Sequence, residues 1–402
     1  LDITLWHGEE EIEPTGSVTV TFSGIDTEGL YPKVYHIDPD NQTVKDMEAE
    51  KTETGDVTVD TDHFSRYKIQ LLAAGELPEI IGKDTFKDGG EYKLTADVRT
   101  DANIGQVFIT AANPTTIDLN GHTLTISGDN QFFEVQNGAK LTIMDSSNNI
   151  QDTESTAGGN KYGNTATLVN DTLTYYITES AANGTSTTET LKKHEVLLTK
   201  AGKILCGATS DQVTSEQLIK VQNGGTLELL SGVLQGTGVK HVVNVEGGTL
   251  NVSGGYIVGG GREGTPGGGI YVGSGAEKGK VEIQGGVVAA NRGNFGGGIY
   301  VVGGELTISG GAVTGNEVFN GHVDNGGGIY VNSGTLNLSG GYVTNNSKSC
   351  DCKDCKEDVD NTHGGGGIAL NETSSMKMTG GYVTGNYSGL AGGGIYAGFF
   401  TN

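Results

Sequence analysis

A six-residue phrase that is written five times constrains the fold of this chain more than any other feature. It reads GGGIYV at 267–272, and its isoleucine recurs at 270, 299, 329, 368 and 395, in steps of 29, 30, 39 and 27 residues. Two further phrases lie between the copies, one such as LTISGG from Leu306 and one of the form Val-x-x-Asn, such as Val313 to Asn316. Self-similarity at such a period is typical of solenoids, in which each repeat buries its apolar face against its neighbours.

One repeat contains three strand-length pieces, which we name the first (GIYV), second (LTI) and third (AVT) strand. Because side chains at i and i+2 share a face of a strand, one set is predicted to point into a triangular tube: Ile299, Val301, Leu306, Ile308 and Val313. Tyr300, Thr307 and Thr314 are predicted to point outward. The glycines are predicted at bends that need a positive φ or a close backbone approach. The asparagine of Val-x-x-Asn is predicted to stack on its copies as an internal ladder that satisfies backbone groups of the turn. Three strands in each repeat indicate an all-β parallel β-helix with about three strands per coil.

The first 75 residues read differently, as short alternating strands separated by turn-rich segments. We therefore predict a small β-sandwich-like module over 1–75, followed by the β-helix over 76–402. Within the β-helix the prediction assigns capping coils to 80–145, an inserted excursion over the flank of the solenoid to 146–195, and regular coils to 196–402. The chain starts at Leu1 and stops soon after a repeat opens, so we expect a fragment of a longer protein that is truncated at its C-terminus.

Charge composition narrows the possible partners. The chain has 49 acidic and 25 basic residues, a net charge of −24, which argues against nucleic acid or an anionic membrane as a partner. No apolar run is long enough to span a bilayer, so we expect no direct membrane insertion. An acidic surface of this kind suits an extracellular setting.

Three stretches resemble known bacterial surface proteins. TIDLNGHTLTI at 116–126 resembles the first coils of right-handed parallel β-helix proteins from gut Firmicutes. GGGI at 296–299 with VTGN at 313–316 resembles the GGAI and FxxN repeats of the chlamydial polymorphic outer-membrane proteins, with Val where that family has Phe. DHFSRYKI at 62–69 is similar to the end of small β modules in surface proteins of Gram-positive bacteria. The resemblances imply a right-handed β-helix, display at a Gram-positive cell surface or secretion, and a role in adhesion.

Candidate binding residues fall into two groups. Tyr271, Tyr300, Tyr330 and Tyr396 occupy one predicted outer column, which Ala369 interrupts, and Tyr256, Tyr342 and Tyr382 occupy a second. Such columns can stack on sugars or anchor protein partners, or the tyrosines can simply stack on one another as good strand residues. The segments between Val-x-x-Asn and the next GGG differ in length in every repeat and are predicted on one edge of the tube, the usual layout of a repeat-protein binding surface. The residues that we single out on this loop edge are Arg262, Arg292, Phe295, Phe319, His322 and Tyr387.

The longest of these segments contains the run Cys350, Cys352 and Cys355, with His363 nearby. Three thiolates and an imidazole could hold tetrahedral Zn²⁺, whereas an oxidising exterior would favour a disulfide or free thiols. Both interpretations stay open. Apart from Zn²⁺ or Ca²⁺, the sequence predicts no cofactor.

These observations predict an adhesin that recognises a host or microbial glycan or glycoprotein, mucins and immunoglobulins included, through its loop edge. No catalytic residue is assigned. The main alternative is a carbohydrate-active β-helix enzyme, a polysaccharide lyase or glycoside hydrolase. For that reading Glu228 and Glu282, two coils or ~10 Å apart, are the nearest approach to a carboxylate pair. A structural stalk is the third possibility, and the oligomeric state is left open.

Overall fold

The computed structural model describes residues 5–7, 10–12, 14–37, 44–47, 49–62, 66–110, 113–128, 130–183, 186–206, 216–262, 264–318, 325–348, 364–389 and 392–398. Within these ranges the chain is all-β and forms no helix. Accordingly, the described residues include no helix long and apolar enough to cross a membrane. Most strands belong to long parallel sheets, in which each strand pairs with its copy one repeat away, so the architecture is a solenoid of the β-helix type.

The first strands form one continuous parallel column. The isoleucine of GGGIYV pairs from copy to copy, Ile270 with Ile299, Ile299 with Ile329, Ile329 with Ile368 and Ile368 with Ile395. The repeat thus reports the register directly. The strands of this column are Val107–Ile109, Phe133–Val135, Gln217–Gln222, His241–Glu246, Ile270–Gly273, the first halves of Ile299–Ile308 and Ile329–Leu338, Ile368–Leu370 and Ile395–Ala397.

The second strands form a column in the same sheet. The two columns are joined because Ile299–Ile308 and Ile329–Leu338 run without a break through both positions. The other second strands are Gly90–Lys93, Thr115–Asp118, Lys140–Met144, Thr226–Leu229, Thr249–Val252, Lys280–Ile283 and Ser374–Met378.

The third strands form a separate ten-stranded parallel sheet. They are Ile80–Ile81, Val98–Thr100, Thr123–Ile126, Lys203–Cys206, Val233–Gln235, Tyr256–Val258, Val287–Ala289, Ala312–Thr314, Tyr342–Thr344 and Tyr382–Thr384. A short fourth ladder, not predicted from the sequence, follows the corner asparagines. Its strands are Arg292–Gly293, Glu317–Val318, Ser347–Lys348 and Tyr387–Ser388.

One apolar cluster fills the tube from Leu77 to Leu370. The five side chains predicted to point inward are all completely buried, which confirms the alternation: Ile299, Val301, Leu306, Ile308 and Val313. Parallel columns place like residues one above another, so each coil contributes the same side chains to the core.

The corner asparagines form the predicted internal ladder. The side-chain Nδ2 of Asn291, Asn316 and Asn346 donates to the Oδ1 of the next asparagine at 3.1, 3.0 and 3.0 Å, ending at Asn386. Each Oδ1 also accepts the backbone N–H of the asparagine before it, and each Nδ2 also donates to the backbone carbonyl of a residue in the preceding coil, such as Val288. The ladder therefore satisfies backbone groups that the corner leaves buried.

The same ladder explains the third glycine of GGG. A Cβ at Gly298 would lie 2.8 Å from Nδ2 of Asn316, and a Cβ at Gly328 would lie 2.7 Å from Nδ2 of Asn346. Real Cβ atoms do not approach polar atoms so closely, so the backbone can pass the ladder only where the side chain is a hydrogen.

The insertion at 146–202 contains a four-stranded antiparallel sheet, and we name its described residues the strap. Its strands are Gln151–Thr156, Thr167–Val169, Thr172–Asn183 and Ser186–Leu197. The strap leaves the tube between a second and a third strand and packs on the outer face of the third-strand sheet. Thr314, predicted to point outward, does leave the tube, but it is completely buried because its hydroxyl donates to the strap carbonyl of Tyr176.

The N-terminal region contains two three-stranded antiparallel sheets and a short hairpin. Side chains of both sheets, including Phe22, Val34 and Val57, share one apolar cluster, which is separate from that of the tube. The hairpin strands are Leu5–His7 and Glu10–Ile12. The first sheet has the strand order Val18–Phe22, Val57–Thr61, Ala49–Lys51. The second sheet has the strand order Val44–Met47, Tyr31–Ile37, Arg66–Leu72.

Candidate functional site

The fourth ladder aligns two of the predicted binding residues in one row. Arg292 pairs in register with Glu317, Glu317 with Ser347, and Ser347 with Tyr387. We name these four residues the edge row. Because parallel strands are spaced by ~4.8 Å, Arg292 and Tyr387 lie three rungs, or about 14 Å, apart. Each residue of the edge row is the first residue of one of the segments of unequal length.

The two ends of the edge row are exposed and chemically different. The Arg292 side chain is 56% exposed and its guanidinium lies 3.1 Å from the Glu317 carboxylate. Tyr387 is 46% exposed, and its Cβ lies so close to the strap that a Cβ on Gly163 would be 2.5 Å away. The strap therefore borders the C-terminal end of the loop edge, at Tyr387.

Arg262 lies in the turn of the first regular loop. Its backbone N–H donates to the Thr265 hydroxyl at 3.1 Å, and that hydroxyl donates to the Arg262 carbonyl at 2.6 Å. The side chain is half-buried. The pKa of Glu216 is held below its ordinary value, first by the hydrogen bond from Lys240 and to a smaller degree by the charge of Arg262. Arg262 thus lies close enough to interact with a neighbouring coil.

The predicted tyrosine column lies on the other side of the loops, on the outer face of the first strands. Tyr271 and Tyr300 have ring centroids 5.6 Å apart, and Tyr300 and Tyr330 are stacked at 5.6 Å with 29° between their planes. Phe295 packs against both Tyr300 and Tyr330, with each pair of ring centroids 6.1 Å apart. The four rings form one cluster that we name the aromatic ladder.

The aromatic ladder uses its ring faces internally. Tyr330 is only 6% exposed, so it does not offer a free face to a ligand, as an exposed stripe would. Asn332 joins the hydroxyls, since its Nδ2 donates to the Tyr300 hydroxyl at 3.1 Å and its Oδ1 accepts from the Tyr330 hydroxyl at 3.3 Å. Ring edges, hydroxyls and amides are therefore what the aromatic ladder presents outward.

Burial raises the pKa of the Tyr271 and Tyr300 hydroxyls, more than any neighbouring charge does. A raised pKa keeps both phenols protonated and uncharged at neutral pH. Each can then both donate and accept a hydrogen bond, which suits recognition of other hydroxyl groups.

His241 extends the aromatic ladder by one ring, a role that the sequence analysis did not assign. Its ring lies 5.0 Å from that of Tyr271, and its Nδ1 is 2.8 Å from the Gly267 carbonyl oxygen. Burial lowers its pKa to about 4, so the ring is neutral at pH 7. A histidine at the start of one first strand carries no repeat signal, which is why the pattern did not reveal it.

The second tyrosine column is divided by the strap. Tyr256 packs against the cluster beneath the strap, and burial raises its pKa to about 12. Tyr342 and Tyr382 stack at 5.1 Å with 16° between their planes, and Tyr382 is 48% exposed. Only this last pair of the column offers an aromatic surface.

The remaining predicted residues lie outside the described ranges: Phe319, His322, Cys350, Cys352, Cys355 and His363. The part of the chain that the structure describes contains no group of three His, Cys, Asp or Glu side chains placed to hold a metal ion. The Zn²⁺ and disulfide interpretations of the cysteine run both stay predictions.

The two glutamates considered for catalysis stand on the outer face of the second strands. Glu228 lies 2.9 Å from the Lys140 ammonium, and Glu282 is in register one strand beyond Asn251, which separates it from Glu228. Glu282 shares a shallow surface depression with Lys280, Glu305 and Thr307.

Comparison with protein-family models, with curated proteins and with solved structures gave no match. The chemistry of the loop edge and the aromatic ladder is therefore the basis for assigning a function.

Proposed function

We propose that the chain is a right-handed parallel β-helix, three strands to a coil, preceded by a small β-sandwich-like module, and that it serves as a binding protein. The parallel columns and the internal asparagine ladder support the solenoid assignment. Two sheets around one apolar cluster support the sandwich-like module. A uniform tube with variable loops on one edge is the layout that repeat proteins use for recognition.

The proposed ligand surface is the loop edge, bounded by the edge row on one side and the aromatic ladder on the other. The observation that carries this proposal is one of chain order: the segments of unequal length begin in the edge row and end at the GGG that precedes the first strands, whose outer face carries the aromatic ladder. The regular parts of the coils repeat because each coil needs them for packing. Specificity then belongs to the groups that do not repeat, namely the loops and Phe295, Arg292 and Tyr387 at their bases.

The proposed ligand is a glycan or the glycan of a glycoprotein. Neutral phenol hydroxyls and the amides of Asn332 and Asn371 line the aromatic ladder, with Asn371 donating to Asn332 at 2.8 Å. Such groups match the hydroxyls of sugars, and aromatic side chains contribute apolar contact without charge. The net charge of −24 opposes strongly anionic ligands. Mucins and immunoglobulins are candidate ligands of this class. Display on a Gram-positive cell surface is proposed from the resemblance of the stretches at 62–69 and 116–126, not from the repeats.

A glycan array of neutral and acidic mucin-type glycans tests the proposal. We expect saturable binding by the wild-type chain and at least a tenfold loss of affinity in Phe295→Ala and Arg292→Ala. Asn251→Ala is the matched control, because Asn251 lies on the outer face of the second strands, away from the loops. Thermal unfolding of each variant separates loss of contact from loss of fold. Equal binding by all three variants would contradict the assignment of the ligand surface to the loop edge.

A further inference from the structure

The strap is inserted at a corner that all the later coils close with three residues. Between Val252 and Tyr256 the chain needs only Ser-Gly-Gly, whereas between Met144 and Lys203 it takes residues 145–202 for the same corner. The strap then runs along the tube and contacts third strands of later coils, including Ala312–Thr314, Tyr342–Thr344 and Tyr382–Thr384. One insertion thus contacts three successive coils, of which the first and the last do not pair with each other.

A second apolar core lies between strap and tube. Leu173 and Val196 of the strap and Val258 and Ala289 of the third strands are completely buried, although Val258 and Ala289 point out of the tube. These outward residues would meet water if the strap were absent. Their burial removes apolar surface from water and therefore stabilises the docked strap.

Hydrogen bonds fasten the strap farther along the tube. The Thr178 N–H donates to the Thr344 hydroxyl at 3.2 Å, and the Thr178 carbonyl accepts from the Thr384 hydroxyl at 2.6 Å. Backbone bonds join Gly163 N–H to the Gly385 carbonyl at 2.7 Å and Ala166 N–H to the Gly315 carbonyl at 2.9 Å. The three last regular third-strand corners are therefore all bonded to the strap.

The origin of the strap is also fixed. The Asp145 carboxylate accepts the Gly202 N–H at 2.7 Å and so joins the two ends of the insertion. It also accepts the N–H of Gly121, in the corner of the preceding coil, at 2.8 Å. The nearly buried Lys203 ammonium lies 2.7 Å from the Asp171 carboxylate of the strap. The strap is attached at both its origin and its far end.

We propose that the strap is a clasp that makes the coils between about residues 233 and 388 open as one cooperative unit. In an ordinary solenoid each coil is stabilised only by its two neighbours, so coils can open one at a time from an end. The strap adds contacts that several coils share. Opening the last coil then requires breaking strap contacts as well as one rung of each ladder, so load applied at that end is distributed over the covered coils.

Hydrogen exchange in sub-denaturing urea tests the clasp on the full chain and on a variant in which Ser-Gly-Gly replaces residues 145–202. In the wild type we expect amides of the third strands from Tyr256–Val258 to Tyr382–Thr384 to share one opening free energy. In the variant we expect exchange that is graded by coil, with the last coil at least tenfold faster than in the wild type. Graded exchange already in the wild type, or shared opening in the variant, would overturn the proposal.

A pair of point variants covers the case in which the shortened chain does not fold. Gly385→Ala places a Cβ 2.3 Å from the Thr178 hydroxyl, whereas Gly259→Ala at the equivalent corner meets no atom closer than 3.4 Å. Both glycines have positive φ, 63° and 74°, so both variants carry the same backbone strain. Ala290 occupies that conformation natively, at 55°. We expect at least tenfold faster exchange in the last coil for Gly385→Ala alone; equal effects of the two variants would contradict the clasp.

Discussion

Replacing Asn316 by alanine should cost the solenoid about 4 kcal/mol. The Asn316 side chain makes four hydrogen bonds: it donates to the Val288 carbonyl and to Oδ1 of Asn346, and it accepts from the backbone N–H and the Nδ2 of Asn291. Alanine leaves the Asn291 N–H and the Val288 carbonyl buried without these partners. Each such group costs about 1–3 kcal/mol, and the lost amide also leaves a small cavity.

The matched control is Asn386→Ala at the end of the same ladder. Asn386 also serves one backbone N–H and one carbonyl, those of Asn346 and Val343. Asn386 is 7% exposed whereas Asn316 is completely buried, and Val383 beside Asn386 is only partly buried, so water reaches the lost bonds more easily at Asn386. We expect a loss of about 1–2 kcal/mol, within the usual range for a replaceable hydrogen bond.

Urea unfolding followed by circular dichroism, together with hydrogen exchange of the Asn291 amide, measures both variants. The expected result is a lower unfolding midpoint for Asn316→Ala than for Asn386→Ala, and fast exchange at Asn291 in the former. Equal midpoints, or an Asn291 amide that stays protected, would refute the ladder as a main source of stability.

Two further predictions concern the glycine and histidine positions. Gly298→Ala should lower the free energy of unfolding by about 1–3 kcal/mol, because its Cβ would lie 2.8 Å from both the Asn316 amide and the Gly328 carbonyl. Gly158→Ala is the control: its Cβ would meet no atom within 4 Å, so thermal unfolding should show a change of less than about 0.5 kcal/mol. Burial lowers the pKa of His241 from 6.5 in the unfolded chain to about 4 in the folded chain. Between these values only the unfolded chain binds the proton, so the free energy of unfolding falls by about 3 kcal/mol as the pH falls from 6.5 to 4. His241→Phe should remove that part of the pH dependence; an unchanged difference between pH 7 and pH 4 would contradict the burial of a neutral ring.

The interior of the tube was predictable because one physical constraint repeats in every coil. Alternation identified the inward side chains, such as Leu306, and the fixed place of Asn316 in each repeat identified the ladder. The parallel register also followed, since the isoleucine of GGGIYV pairs with its own copy. Each of these features is dictated locally and is written several times.

The strap's docking site could not be predicted in the same way, because it occurs once. A signal for it was nonetheless present. The outward positions of the second strands are polar, as at Glu282, whereas Val258 and Ala289 at outward positions of the third strands are apolar, and a strand that is apolar on both faces is usually covered on both. For the aromatic ladder the column itself was predictable, but the exposure of its rings was not. The outer column was visible in the sequence, but Tyr330 is buried because Phe295 folds over it from a loop that does not repeat.

Mapping a bound glycan by hydrogen exchange locates the ligand surface on the β-helix. The probe is a mucin-type glycan that binds on the array, added at saturation to the full wild-type chain. We predict slower exchange over 292–300, 325–331 and 387–389, which contain the two ends of the edge row and three of the four rings of the aromatic ladder. Slower exchange confined to the second strands, such as Thr249–Val252 and Lys280–Ile283, would contradict it and would place recognition on the face that carries Glu228 and Glu282.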